Sequence, residues 1–307
     1  MSTSPIYKQP ILFTLLATVT VLIGTVVMMV VPQFMASTQP HNDLQKPYTA
    51  LELAGRDVYQ AEGCNNCHTQ TIRPLKAEVA RYGPYSKAWE FEYDRPFLWG
   101  SKRTGPDLAR VGGKYSDKWH FKHMTNPPKM IYGSNMPSYT HLSDIELKPA
   151  EVEAHIKGIG FPYTKAEIDA VQGMTMTQMD ALVAYMQKLG TAVERPPRPQ
   201  MVKEGETNSL ANDANAVVQG KKLFEMNCTG CHGIDLKGDV GSDLTDIVWL
   251  GSTEDFADWE IFDVIANGTM KGVKRQAAGG MPPFGDFMGK YKVWSIIAYI
   301  RSMEAKK

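Results

Sequence analysis

Two short runs carry the chemistry that this chain's residue types allow, Cys64-Asn-Asn-Cys67-His68 and Cys228-Thr-Gly-Cys231-His232. Together they use all four cysteines, which leaves no thiol for a disulfide. Two thiols three positions apart can add to the two vinyl groups of one haem, and the imidazole that follows is then placed to ligate its iron. A thioredoxin-like thiol pair would not need the trailing histidine, and a zinc site would need a third and a fourth ligand at suitable spacing. Two complete copies make two covalently bound haem c groups the expected cofactors.

An iron held by histidine on one side and methionine on the other has a raised reduction potential and no free position for oxygen, which suits electron transfer. Met136 in Asn135-Met-Pro137 and Met281 in Gly279-Gly-Met-Pro-Pro-Phe284 both precede proline, which holds a residue in extended backbone suited to a turn over a haem face. Most of the 17 methionines should be core filler. Met124, Met130, Met270 and Met288 are the nearby alternatives, and His120, His123 and His141 offer a bis-histidine site instead. His41 and His155 carry no such signal. The expected haem-binding set is therefore Cys64, Cys67, His68 and Met136 at one site and Cys228, Cys231, His232 and Met281 at the other. His68, Met136, His232 and Met281 are the expected iron ligands, and no catalytic residue is expected.

These residues need elements to hold them. Thr49-Ala-Leu-Glu52 has capping-box spacing, and Ala54, Val58 and Ala61 recur on one helical face, so a helix is expected to run into the first motif. Gly55 and Tyr59 stand four apart on it, as do Gly220 and Phe224 before the second motif, a pattern that lets another helix cross closely and pack on the ring. The crossing partners are expected at Leu182-Val-Ala-Tyr185-Met and Ile296-Ile-Ala-Tyr299-Ile, each ending a domain. This is one small all-helical unit used twice. The first copy carries about 50 more residues than the second between haem motif and closing helix, rich in aromatic, proline and glycine residues. Arg81-Tyr-Gly-Pro-Tyr85 and Arg95-Pro-Phe-Leu-Trp-Gly100 lie in this stretch, which reads as a packed loop or as a docking surface.

From Ile11 to Val31 the chain is uncharged and apolar, long enough at about 1.5 Å per residue to cross a bilayer core. It is longer than the apolar region of a cleaved signal, and Phe34-Met35-Ala36-Ser37 is a poor cleavage match. With Lys8 before it, the positive-inside tendency places the amino terminus in the cytoplasm and everything after Pro32 outside, in the periplasm of a bacterium. The expected location is the bacterial inner membrane, crossed once. The segment holds no ionisable group, so proton pumping would belong to a partner.

The expected fold class is mainly α: a transmembrane anchor over 1–35, a first haem domain over 36–190, a linker over 191–216 and a second haem domain over 217–307. Glu194-Arg-Pro-Pro-Arg-Pro199 should be stiff and the polar residues after it flexible. Up to residue 203 there are 22 basic and 18 acidic side chains, and beyond it 11 and 15. No basic face is concentrated enough for nucleic acid, and the acidic tail mildly favours a basic partner.

Gly105-Pro-Asp-Leu108 resembles the G-P-x-L turn of class I cytochromes c, and the resemblance implies that the Pro106 carbonyl accepts a hydrogen bond from His68. At the matching place the second domain has Gly241-Ser-Asp-Leu244, without the proline, which leaves open which carbonyl holds His232. The run from Glu62 to His68 continues through Ile72-Arg-Pro74, Arg81-Tyr-Gly83, Phe97-Leu-Trp-Gly100 to Gly113, Tyr115-Ser-Asp117 and Asn135-Met-Pro137. It closely resembles subunit II of cbb3-type cytochrome c oxidases over roughly residues 5 to 190. That resemblance implies that the chain passes electrons from haem c to the haem b and haem-copper site of subunit I, where oxygen is reduced. Cys64, Cys67, His68 and Met136 are the residues carried over.

Subunit II of that family stops after one haem domain, whereas residues 217–303 add another. Asn227-Cys-Thr-Gly-Cys-His-Gly233, Asp243-Leu-Thr-Asp246 and Trp249-Leu250 are similar to the haem domains of subunit III, which implies that the fused domain replaces or supplements that subunit in receiving electrons. The expected partners are subunit I, other oxidase subunits, the membrane and a soluble or membrane-bound donor cytochrome c. Glu254, Asp255, Asp258, Glu260 and Asp263 are either a landing site for a basic cytochrome or a helix start with ordinary acidic preference. Other readings are the small cytochrome subunit of a nitric oxide reductase, a free-standing tethered dihaem shuttle, and a dihaem peroxidase, against which the paired Met-Pro sequences speak.

Overall fold

The structure, a computed structural model of the chain, describes residues 5–35, 41–131, 133–194, 200–245, 256–269 and 281–304. Its elements are helical, and a lone bridge between Glu146 and Thr177 is the only β pairing among the described residues. Helix α1 (Pro10–Thr25) continues through one π turn to Val30, giving 21 residues, apolar but for the threonines, whose most apolar stretch is buried nowhere in the chain. At about 1.5 Å each they span about 32 Å, the thickness of a hydrocarbon core. The threonine hydroxyls on it donate back along the helix, Thr14 to the Pro10 carbonyl at 2.8 Å and Thr20 to that of Leu16 at 2.8 Å. No polar atom of theirs therefore needs water.

The first helical unit is built on α2 (Ala50–Ala61) and a closing helix. Thr49 and Glu52 form the reciprocal cap expected of them, with Thr49 N–H donating to Glu52 Oε2 at 2.7 Å and Glu52 N–H to Thr49 Oγ1 at 3.3 Å. Between these elements the chain forms α3 (Lys76–Tyr82), α4 (Asp117–Thr125), the short α5 (Pro127–Met130), α6 (Pro149–Ile159) and α7 (Lys165–Ala170), and α8 (Gln178–Lys188) closes the unit. The periodic face of α2 meets α8 where the glycine stands: a Cβ on Gly55 would lie 1.8 Å from the Ala181 carbonyl oxygen. One turn on, Tyr59 and Tyr185 pack edge to face with centroids 5.4 Å apart.

The second domain repeats this. Helix α9 (Ala214–Asn227) leads into α10 (Thr229–His232), then α11 (Asp258–Asn267) and α12 (Gly285–Glu304), the last broken at Gly289. A Cβ on Gly220 would lie 1.9 Å from the Ser295 carbonyl oxygen, and Phe224 packs on Tyr299 at 5.6 Å. Each crossing thus closes on a glycine in one helix and a backbone carbonyl in the other.

One expectation changes. Of the segment expected to link the domains, residues 195–199 lie outside the described set, but the residues after it are packed rather than flexible. Val202 is buried in the second core, and the Asn208 amide donates to the Trp294 carbonyl at 3.0 Å. A buried side-chain amide needs such a partner, and α12 supplies it.

The long stretch in the first domain is pinned by buried ion pairs as well as by buried apolar side chains such as Ile72, Phe91 and Leu98. Arg56 Nε meets Asp94 at 2.9 Å, with both side chains almost wholly buried, and Tyr48 O–H donates to the same oxygen at 2.9 Å. Arg110 grips Glu90 with two nitrogens at 2.7 and 3.0 Å. Phe97 and Trp99 stack in parallel at 4.6 Å and remain half exposed, so the loop both packs and presents an aromatic surface.

Candidate haem sites

Each histidine of the two Cys-x-x-Cys-His runs is set by the same local device. The His68 peptide N–H donates to the Cys64 carbonyl, and that of His232 to the Cys228 carbonyl, both at 2.9 Å, so each motif is wound into a tight turn. Beyond His68, the N–H groups of Thr104 and Gly105 return to the Cys67 carbonyl at 2.9 and 3.0 Å. Beyond His232, the Gly241 N–H returns to the Cys231 carbonyl at 2.8 Å. This lays a glycine against each imidazole, where a Cβ on Gly105 would be 2.2 Å from His68 Cε1 and one on Gly241 2.7 Å from His232 Cε1.

The residue after that glycine then supplies a carbonyl. His68 Nδ1 donates to the Pro106 oxygen at 2.8 Å, and His232 Nδ1 to the Ser242 oxygen at 2.8 Å. The question left open by the missing proline is thus answered by position: the backbone, not the proline ring, does the work. A carbonyl on Nδ1 fixes the tautomer and leaves Nε2 as the lone-pair donor. Burial pushes both imidazoles below their ordinary pKa, which keeps them neutral and able to ligate a metal.

What steadies the first turn was not evident from motifs. Asp107, fully buried, accepts from Thr71 N–H at 3.0 Å, Ala109 N–H at 2.8 Å, the Thr69 hydroxyl and Arg103 at 3.2 Å. Arg103 also donates to the Thr71 carbonyl and to Glu78, each at 2.8 Å. Its hydrogen bond and charge hold the Glu78 carboxyl down at about 2. One network therefore clamps the residues after His68 to the turn that carries Pro106. Asp107 sits inside the Gly-Pro-Asp-Leu run, but Thr69 and Thr71 lie 38 and 36 positions from it, and the nearby Arg103 gives no hint that it joins them.

The second site is a cavity of about 570 Å³, within the range of cofactor sites. Cys228, Cys231, His232 and Met281 all line it, together with Phe224, Ile261, Ile265 and Phe284. Met281 is gripped at both backbone atoms, its N–H donating to the Thr269 hydroxyl at 2.7 Å and its carbonyl accepting from the Thr269 N–H at 3.0 Å. At the first site Met136 and Cys64 both border the first core, and Tyr139 N–H ties the Met136 loop to the Met124 carbonyl at 2.8 Å. Two thiols, an imidazole with Nε2 available, a thioether and a cavity lined largely by apolar side chains are groups that could hold a covalently attached haem. Burial pushes the Cys64 and Cys228 thiols up to about 12 and Cys231 to about 11, the reverse of what a thiolate redox pair requires.

The remaining candidates fall elsewhere. Met124 is buried in the first core and Met288 in the second, Met130 reaches the wall of the second cavity, and Met270 lies outside the described residues. His41 pairs with Glu92 at 2.8 Å, His155 with Asp57 at 2.7 Å, and exposed His141 with Glu62 at 3.2 Å. His120 and His123 have buried ring nitrogens, Nε2 and Nδ1 respectively, without a hydrogen-bond partner. Of the acidic cluster, Glu254 and Asp255 lie outside the described residues. Asp258 pairs with Arg301 at 3.0 Å, Glu260 accepts from the Ala257 N–H at 3.0 Å, and Asp263 accepts from the Asn267 amide at 2.7 Å. Those three serve the start and body of α11.

The sequence pattern of the family described as "Cytochrome C oxidase, mono-heme subunit/FixO" matches residues 3–179, and that of "Cytochrome c" matches residues 217–304. Among curated proteins, the chain is 33% identical over 90 residues to the cbb3-type cytochrome c oxidase subunit FixP of Sinorhizobium medicae, covering 29% of this chain and 30% of that one. It is 35% identical over 98 residues to the cbb3-type subunit CcoP of Rubrivivax gelatinosus, covering 31% and 28%. The chain thus spans less than a third of either relative.

Proposed function

Because the chain belongs to the FixO family of mono-haem cytochrome c oxidase subunits, we propose that it is a membrane-anchored, dihaem electron-transfer subunit of a cbb3-type oxidase. The observation that carries this reading is the repeated geometry of the two histidines, each with Nδ1 on the carbonyl of the residue after a turn glycine at 2.8 Å. A mono-haem family is here joined to a second domain with the same device.

When bound, each haem would supply a one-electron couple. The protein's contribution is to hold His68 and His232 in one tautomer, to place a methionine thioether opposite, and to exclude water from the site. Met136 and Met281 would close the sixth position, so oxygen chemistry belongs to a partner with haem b and copper. Electrons would arrive from a donor cytochrome at the C-terminal site, pass to the N-terminal site and leave to that partner. The half-exposed Phe97 and Trp99, on the stretch characteristic of the family resemblance, favour this loop as the partner's contact. The fused domain would take the place of, or add to, a subunit related to FixP and CcoP. The anchor, crossing the inner membrane once, would hold both domains in the periplasm.

Affinity purification of the chain from mild-detergent membranes, with reduced-minus-oxidised spectra and gas consumption, tests this. Haem b accompanying haem c, with oxygen uptake, is expected. Preferential nitric oxide consumption would point to a reductase instead, and haem c alone without either activity to a tethered shuttle.

A further inference from the structure

The wall of the second cavity is not built by the second domain alone. Tyr115, Trp119, Met130 and Ile131, all from the first domain, line it beside Cys231 and His232. Tyr115 immediately precedes the N-cap of α4, and Tyr115, Trp119 and His123 follow at intervals of four, which puts them on one helical face. Their rings stack: Tyr115 and Trp119 lie 3.8 Å apart at 14°, and Trp119 and His123 4.6 Å apart at 10°. At the far end of this stack, the residue after His123, Met124, is buried in the first core that Cys64 and Met136 border, and its carbonyl accepts from the Tyr139 N–H at 2.8 Å. The stack therefore runs from the wall of the second cavity along α4 to the turn that meets the first core.

Two further observations concern the same face. Lys118 Nζ donates to the Asp239 carbonyl at 2.8 Å, and Lys122 pairs with the Asp239 carboxylate, so two positions one turn apart on α4 grip a second-domain loop. Gly230, inside the second Cys-x-x-Cys run, lies so close to α5 that a Cβ there would be 2.6 Å from the Met130 carbonyl oxygen. The first run has Asn66 at the corresponding place. The motif itself thus accommodates a side chain at this position, and it is the approach of the other domain that requires glycine.

We propose that α4 and α5 are the docking face for the second haem site, and that the Tyr115-Trp119-His123 stack is the contact across which the two sites exchange an electron. This rests on the dihaem reading above. One electron crosses, the iron of the second site going from ferrous to ferric and that of the first from ferric to ferrous, with no bond or proton moved. Tunnelling weakens steeply with each gap across which no atoms are in contact, and stacked rings leave fewer such gaps along α4.

The test uses the full holo-chain in detergent and two variants, Gly230→Asn and Trp119→Leu. Haem content is measured, carbodiimide coupling of Lys122 to Asp239 is scored by peptide mass, and the interhaem rate is followed after flash reduction with less than one electron per chain. G230N is expected to keep two haems, lose the coupled peptide and slow exchange at least tenfold. W119L is expected to keep both haems and the coupled peptide, and to slow exchange at least fivefold beyond what any measured shift in the midpoint potentials accounts for. Persistence of the coupled peptide in G230N would overturn the docking face, and an unaltered rate in W119L would overturn the stack as the route. If G230N fails to mature, W119L decides. If the parent chain carries one haem or exchanges no electron between its sites, the dihaem reading itself falls, a result distinct from a parent that exchanges and variants that match it.

Discussion

At the scale of single residues, the site depends on groups that hold a neutral imidazole and a thioether in place. Met136→Ala and Met281→Ala should leave the haem covalently attached, because the thiols are untouched. Each should lower the potential of its own site by a sizeable part of the about 0.8 V that axial ligation spans, as read by potentiometric titration of the purified chain. A second prediction concerns His120, which is 2% exposed and whose ring burial holds at about 4 against an ordinary value of 6.5. The folded value is the lower one, so between these limits the unfolded chain binds the extra proton. Stability should fall as pH drops from 6.5 towards 4 and level off below, by up to about 3 kcal/mol. Thermal unfolding across that range should show the slope, and His120→Gln should reduce it while leaving the share of His123, which burial also holds at about 4. The cysteines, histidines and Met-Pro pairs were legible because their signals are local. The Asp107 network was not, since Thr69 and Arg103 lie 38 and 4 residues from it and Glu78 joins only through Arg103.

Among elements, the glycine crossings organise both domains. Gly55→Ala and Gly220→Ala would each drive a methyl into a backbone carbonyl that cannot rotate away. Each should cost more than about 3 kcal/mol, at or beyond the upper end of overpacking effects, and denaturant unfolding of the holo-chain would measure it. A loss below 1 kcal/mol would mean that the helices separate easily. These crossings could be read from sequence because a glycine and an aromatic four apart mark one face, and the capping box at Thr49 was equally plain. Helices α6 and α7 lie in a stretch that offered only a long loop. Their short apolar faces, with Val152 and Ile156 buried, become meaningful only against the first core. Likewise, the residues after 199 look like linker by composition, yet Val202 and Asn208 find partners on the second domain.

For the whole molecule, the anchor and the two domains have separable physics. A chain lacking residues 1–35, exported by a cleavable signal, should retain haem and move from the carbonate-resistant membrane fraction to the soluble one, because no residue of α1 is buried in the chain. Continued membrane retention would locate a second attachment in the haem domains. The contact of the second cavity with α4 and α5 is what sequence could not disclose, since neither Gly230 nor Trp119 signals a partner 100 or more positions away. The account stands on two haem sites within one chain of a mono-haem family, and the mass of the denatured, purified protein measures this most directly. The predicted mass exceeds that of the polypeptide by two haems, and by one when either Cys64 and Cys67 or Cys228 and Cys231 are replaced by serine. A parent chain carrying a single haem, or none, would contradict it.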